Sequence, residues 1–166
     1  MGFLMDRVRS SRGEKGFSVI EIVIAIMIVG ILSAIAIPNY LQYIKKGDER
    51  TTISDIQFIE SKIKEIMSEG LPPPPDLASL DLGDRLNDKW GHPYQYLRLY
   101  GLTIPEAQAA GCRKKKNLNP VNTDFDLYSM GPDGETQINL KSAKGKDDIV
   151  RADNGAYIGI ADDFEP

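Results

Sequence analysis

GFSVIEIVIAIMIVGILSAIAIPNY, residues 16–40, is the stretch that decides the fold. From Phe17 to Ile37 it runs 21 residues with a single charge, Glu21. As a helix rising about 1.5 Å per residue it is about 32 Å long, enough to cross the hydrocarbon core of a bilayer. A carboxylate in such a span costs on the order of 2.5–3.5 kcal/mol, less near an end than at the centre. Either Glu21 sits near the interface and snorkels, or it meets a cation. The span holds no basic side chain, but cleavage after Gly16 would create one cation, the α-amino group of Phe17. An ion pair at about 4 Å and an effective dielectric near 20 gains roughly 4 kcal/mol before desolvation. If that amine belongs to a neighbouring copy, Glu21 registers one subunit against the next. Ala25, Gly30, Ser33 and Ala34 would let such helices approach closely, Gly30 and Ala34 forming a small-xxx-small pair.

Gly16-Phe17-Ser18-x-x-Glu21, followed by the apolar stretch and Pro38, resembles the leader junction of type IV pilins and pseudopilins. The resemblance implies a prepilin peptidase that cuts between Gly16 and Phe17 and methylates the new N-terminus, leaving 150 mature residues. A different processing route is written nearby. Ala34-Ile35-Ala36 is an A-x-A pattern, and a secretory peptidase cutting after Ala36 would discard the apolar run as a signal. That run is long for a signal core, and the early glutamate would then have no purpose.

Composition narrows the function classes. A chain of 166 residues has room for one modest domain plus the helix. The leader carries Arg7, Arg9, Arg12 and Lys15 against Asp6 and Glu14, net +2, so the whole-chain charge of −4 becomes −6 after processing. An acidic mature protein argues against general nucleic-acid binding. The basic leader fits a cytoplasmic N-terminus, with Lys45, Lys46 and Arg50 beyond the span weakening the contrast. Cys112 is the only cysteine, which excludes an intramolecular disulfide. It precedes Arg113-Lys114-Lys115-Lys116, cations that would lower a thiol pKa; an incidental loop cysteine is the plainer reading.

Beyond Pro38 the pattern becomes amphipathic. Ile56, Ile59, Ile63, Ile66 and Met67 recur at three- and four-residue steps, with Asp55, Glu60, Lys62, Lys64 and Glu65 between them. The spacing predicts a helix to about Glu69, stopped at Gly70, whose stripe packs on a sheet. Leu71 to Pro75 reads as a stiff polyproline connection. A short helix is expected at Leu77 to Leu86, and strands at Tyr94–Thr103, Phe125–Met130 and Ala156–Ile160. Residues 104–124, with the basic run, read as an exposed, solvated insertion. The fold class expected is α+β: a long N-terminal helix, membrane half plus amphipathic half, packed on a small C-terminal antiparallel β-sheet domain. The division is leader 1–16, membrane and assembly helix 17–37, amphipathic continuation 38–70 and globular β domain 71–166.

Two dense motifs mark the globular part, Trp90-Gly91-His92-Pro93-Tyr94-Gln95-Tyr96 and Asp126-Leu127-Tyr128-Ser129-Met130-Gly131-Pro132-Asp133-Gly134. As residues they are fold determinants: an aromatic anchor, tight turns and strand starts. Together they resemble the WGxPYxY and DLxSxGxDG segments of the major pseudopilins of type II secretion systems. That resemblance implies a calcium ion held by Asp133 and Asp148, with Asp147 and the Met130 carbonyl next, since calcium takes six to eight oxygens. On spacing alone, Asp133 serves a turn and Asp147-Asp148 is a surface pair. Lys141, Lys144 and Lys146 in the intervening loop oppose a dication, and the insertion and the tail after Ile149 are longer than the family pattern. His92 has no catalytic or zinc-type companions.

The functional expectation is a non-enzymatic structural subunit, single-pass in the inner membrane with a periplasmic domain. It would polymerise with copies of itself into the helical filament of a type II secretion pseudopilus. The resemblance implies as partners minor pseudopilins, the prepilin peptidase and an inner-membrane assembly platform, with motor power from a separate ATPase and no nucleic acid. The rivals are a type IV pilin of a surface filament, a monomeric membrane-tethered calcium or partner-binding module, and an exported enzyme with an ordinary signal.

Overall fold

The computed structural model describes residues 16–166; the expected leader, apart from Gly16, lies outside the described residues. Helix α1 runs Val19–Ser68, 50 residues with Pro38 inside it. It ends within a residue of the position the stripe predicts, with Gly70 at φ 81°, a left-handed turn that glycine takes without steric cost. The chain divides into two compact units, one ending at Gln42 and one spanning Tyr43–Pro166. In the first, no residue of the most apolar 18-residue window is buried. A face apolar all round and unburied has only lipid or other helices to meet.

The second unit is built on a four-stranded antiparallel meander, β1 Gln95–Arg98, β2 Phe125–Ser129, β3 Ile149–Ala152 and β4 Tyr157–Ile160, in the order β1-β2-β3-β4. Register pairs Tyr96 with Leu127, Tyr128 with Val150, and Val150 with Gly159. The stripe on α1 is covered: Ile56, Ile59 and Ile63 are fully buried against Phe125, Leu127, Ile149 and Tyr94. Each such isoleucine contributes about 1.5–3 kcal/mol of burial. Val121, Leu140, Val150, Ala152, Ala161 and Phe164 form a second buried cluster. Successive β3 residues Ile149 and Val150 belong to different clusters, so the sheet is covered on both faces.

The differences from the expected elements have physical reasons. The Tyr94–Thr103 expectation shortens to β1: Leu99 N–H makes one more in-register bond to Asp124 O at 2.9 Å, and the chain then turns at Tyr100-Gly101, with Gly101 at φ 81°. The short helix expected at 77–86 is only a 3-10 turn, Leu77–Ser79, closed by the Asp76 carboxylate on Ser79 N–H. Strand β3 was not expected; flanked by acids and an arginine, it shows no period-two alternation because both faces are buried. Residues 104–124 are not a solvated loop. They open with helix α2, Ile104–Ala109, under a Thr103–Glu106 capping box, and then bury Cys112, Arg113 and Lys115. The polyproline connection is anchored, with Pro73 and Pro74 buried and Pro74 O accepting the Tyr96 hydroxyl at 2.7 Å.

Candidate functional site

At the start of the described chain Gly16 and Phe17 are exposed, Phe17 at 82%. Ser18 precedes the helix, and its N–H donates to Glu21 Oε2 at 2.7 Å. The carboxylate therefore caps its own helix, one half of a capping box. That contact satisfies one oxygen of Glu21 but brings no positive charge to it. An alanine-sized side chain at Gly30 would meet nothing within 4 Å, so the small-residue face is open to a partner backbone.

The two motifs of the globular unit meet through a residue that the sequence reading passed over, Asp88. Its side chain is fully buried. Oδ1 accepts the backbone N–H of Trp90 at 3.0 Å and of His92 at 2.9 Å, and Oδ2 accepts the Ser129 hydroxyl at 2.5 Å. Ser129 Oγ in turn accepts Gly131 N–H at 3.1 Å, and His92 Nδ1 lies 3.0 Å from Gly131 O. An aspartate two residues before a tryptophan-glycine turn is an Asx-turn signal that could have found it.

The expected ligands fall beside this junction. Asp148 is fully buried at the start of β3, and Asp147 is half-buried before it. Gly131, φ 67°, packs so closely on Asp147 that a Cβ there would lie 2.6 Å from Asp147 O. Asp148 Oδ2 accepts the Thr136 hydroxyl and lies 4.0 Å from Arg113 Nη2. Asp147 Oδ1 and Asp148 Oδ1 are buried with no hydrogen-bond partner. Burial, with the charges of Asp147 and Asp133 adding to it, pushes the Asp148 carboxyl up to about 7 against the Thr136 hydrogen bond and the Arg113 charge. Asp133 is exposed and its Oδ1 accepts Glu135 N–H at 2.8 Å, an Asx turn; Met130 directly follows β2. Among the described residues no three His, Cys, Asp or Glu side chains form a metal-holding group. Two orphaned, buried carboxylate oxygens are nevertheless what a hard cation satisfies.

Two departures from the family pattern turn out to be one structure. Lys115, fully buried, donates from Nζ to the carbonyls of Ala161 at 2.6 Å, Asp162 at 3.1 Å and Phe164, and Lys116 pairs with Glu165. The long insertion thus holds the long tail. Cys112 is buried, and burial raises its thiol pKa, with Asp126 adding to the effect and Lys114 opposing it; the lowered value suggested by the basic run does not occur.

Residues 11–37 match the prokaryotic N-terminal methylation motif. Over 144 residues, 76% of this chain and 81% of the relative, the sequence is 26% identical to type II secretion system core protein G of Pectobacterium carotovorum subsp. carotovorum. Core protein G of Aeromonas hydrophila is 27% identical over 144 residues, 75% of this chain and 87% of that one. The chain thus carries the prepilin-type methylation motif and is similar to core protein G over most of its length. Its likeness to a fimbrial protein of Pseudomonas aeruginosa is 34% identity over 59 residues, 36% of this chain and 38% of the fimbrial protein. The likeness to this fimbrial protein thus covers about a third of the chain, and that to the two core protein G relatives about three quarters. No solved structure matches. An exposed apolar helix that begins within the methylation motif fits an inner-membrane anchor.

Proposed function

We propose that this chain is the structural, non-enzymatic subunit of a type II secretion pseudopilus. The observation that carries it is the extent of the likeness to core protein G, 76% of this chain against 36% for the fimbrial protein. A prepilin peptidase cuts between Gly16 and Phe17 and methylates the new terminus. The first unit anchors the subunit in the inner membrane with the globular unit on the periplasmic side. On assembly the apolar helices exchange lipid for one another, and the Phe17 amine of one copy meets Glu21 of the next. In the unprocessed chain Glu21 has only the Ser18 N–H among the described contacts, so an incoming amine finds a free carboxylate oxygen. A head-to-tail contact repeated without closure gives an open filament, with minor pseudopilins, an assembly platform and a cytoplasmic motor as partners. The test is complementation: a strain lacking this gene regains export of folded proteins with the native chain and not with Glu21→Ala. Restored export by Glu21→Ala contradicts the assembly role, and long external filaments without any export effect favour the surface-pilus reading.

The same reading extends to calcium at Asp147 and Asp148, with Asp133 and the Met130 carbonyl as the nearest further oxygens. It is supported by the two unpartnered carboxylate oxygens, Asp147 Oδ1 and Asp148 Oδ1. A bound calcium would neutralise the Asp148 carboxylate, whose pKa burial otherwise raises. At free calcium about tenfold above Kd it adds roughly 1.4 kcal/mol. Thermal unfolding with calcium and with chelator tests it; equal melting in both contradicts it.

A further inference from the structure

The acid cradle already has a cation within reach, and it comes from the insertion. Arg113 is almost completely buried. Its backbone N–H donates to Asp126 Oδ2 at 2.7 Å, fixing the residue behind the sheet. Its guanidinium lies 3.5 Å from the centre of the Tyr128 ring, so the planar group has one approach. From there Nη1 donates to Gln137 O, Nη2 donates to Thr136 Oγ1 at 2.7 Å, and Nη2 stands 4.0 Å from Asp148 Oδ2. A carbonyl, a hydroxyl and a carboxylate converge on one positive group, and these hard oxygens are the kind a divalent cation takes. A guanidinium satisfies several acceptors at once through its planar fork and keeps its charge at every physiological pH.

Arg113 balances only part of the cradle's charge. Asp147 Oδ1 and Asp148 Oδ1 keep no partner, so one fixed positive charge serves a site with more negative charge than it balances. We infer that Arg113 is a tethered counter-ion that occupies part of the calcium cradle, holding the loop at residues 133–148 in place without metal and lowering the affinity for calcium. This rests on the calcium reading above and adds to it the residue that sets its strength. In chains built this way calcium adjusts the loop; it is not a condition for folding.

The experiment is calcium titration of the full chain in detergent micelles, read by calorimetry and by thermal unfolding, for the native protein, Arg113→Met and Arg113→Gln. Methionine keeps an apolar stem against Tyr128, and glutamine keeps polarity without charge. The expected result is a lower melting temperature without calcium for both variants, recovered by calcium, and a calcium Kd at least about tenfold tighter than native. Native-like Kd in both variants while the native protein binds overturns the counter-ion role and leaves calcium binding standing. Absence of any calcium effect in all three overturns both readings. Tight binding in the variants with none in the native chain upholds the counter-ion role. Variants unfolded both with and without calcium overturn it, because Arg113 would then be packing that no other cation replaces.

Discussion

Arg151→Met tests how the helix is fixed to the sheet. Arg151 sits on β3 with its side chain fully buried. Nε donates to Glu60 Oε1 on α1 at 2.9 Å, Nη1 and Nη2 donate to Asp124 at 2.9 and 2.7 Å, and Nη1 donates to Phe125 O at 2.9 Å. The guanidinium also lies 3.9 Å from the centre of the Phe125 ring. Methionine keeps most of the volume and removes the charge, leaving Glu60 and Asp124 facing each other's element without their shared cation. Removing one partner of a buried pair costs about 3–5 kcal/mol. Lys64 Nζ, 2.8 Å from Glu60 Oε1 and half exposed, takes up part of the loss, so the expected cost is near the lower figure, about 3 kcal/mol, or roughly 12 °C in Tm. Glu60→Leu added to Arg151→Met removes the stranded carboxylate on the helix and recovers a good part of that loss, since whole buried pairs replaced by apolar groups are often neutral. Urea unfolding of the full chain in micelles, followed by the single tryptophan, Trp90, reads both. A cost for Arg151→Met below about 1 kcal/mol, or a double variant as unstable as the sum of the singles, refutes the reasoning.

Three further outcomes follow from the same contacts. Gly131→Ala places a Cβ 2.6 Å from Asp147 O at a positive φ, and is expected to lower stability by roughly 1–3 kcal/mol in chemical denaturation; an unchanged midpoint contradicts the close approach. Burial raises the Asp126 carboxyl, outweighing the Asn122 and Arg113 hydrogen bonds that lower it. A raised acid binds its proton more tightly when folded, so its contribution is full below the unfolded carboxylate pKa and is lost as pH rises through the folded value. Asp126→Asn should therefore flatten the pH dependence of Tm on that side, and an unaltered profile would exclude Asp126 as its source. Gly16→Asp should block processing more strongly than Gly16→Ala, seen as retention of the unprocessed band on a gel; equal processing of both contradicts a size limit at that position.

How far the fold was legible depended on whether one face or two was buried. The stripe Ile56-Ile59-Ile63 alternates with polar residues at helical spacing because α1 buries one side, and the sequence shows it directly. Strand β3 buries Ile149 and Val150 in opposite directions and Arg151 beside them, which erases the period of two. The charged residues misled for a related reason. Glu60, Arg113, Lys115 and Arg151 look like a solvated set, but each finds a specific partner far along the chain: Arg151 for Glu60, Asp148 and Gln137 for Arg113, the tail carbonyls for Lys115. Pairing at such separations has no local signature. Asp147 and Asp148 were legible as a pair only through resemblance; the packing of Gly131 on Asp147 and the burial of Asp148 are properties of the turn and the strand together.

The account turns on the mature N-terminus. Intact-mass and N-terminal peptide mass spectrometry of the chain purified from its own cells should find Phe17 as the first residue, carrying one added methyl group. A first residue of Met1 or Ile37 would contradict it, because no Phe17 amine would then exist for Glu21 of another copy to meet.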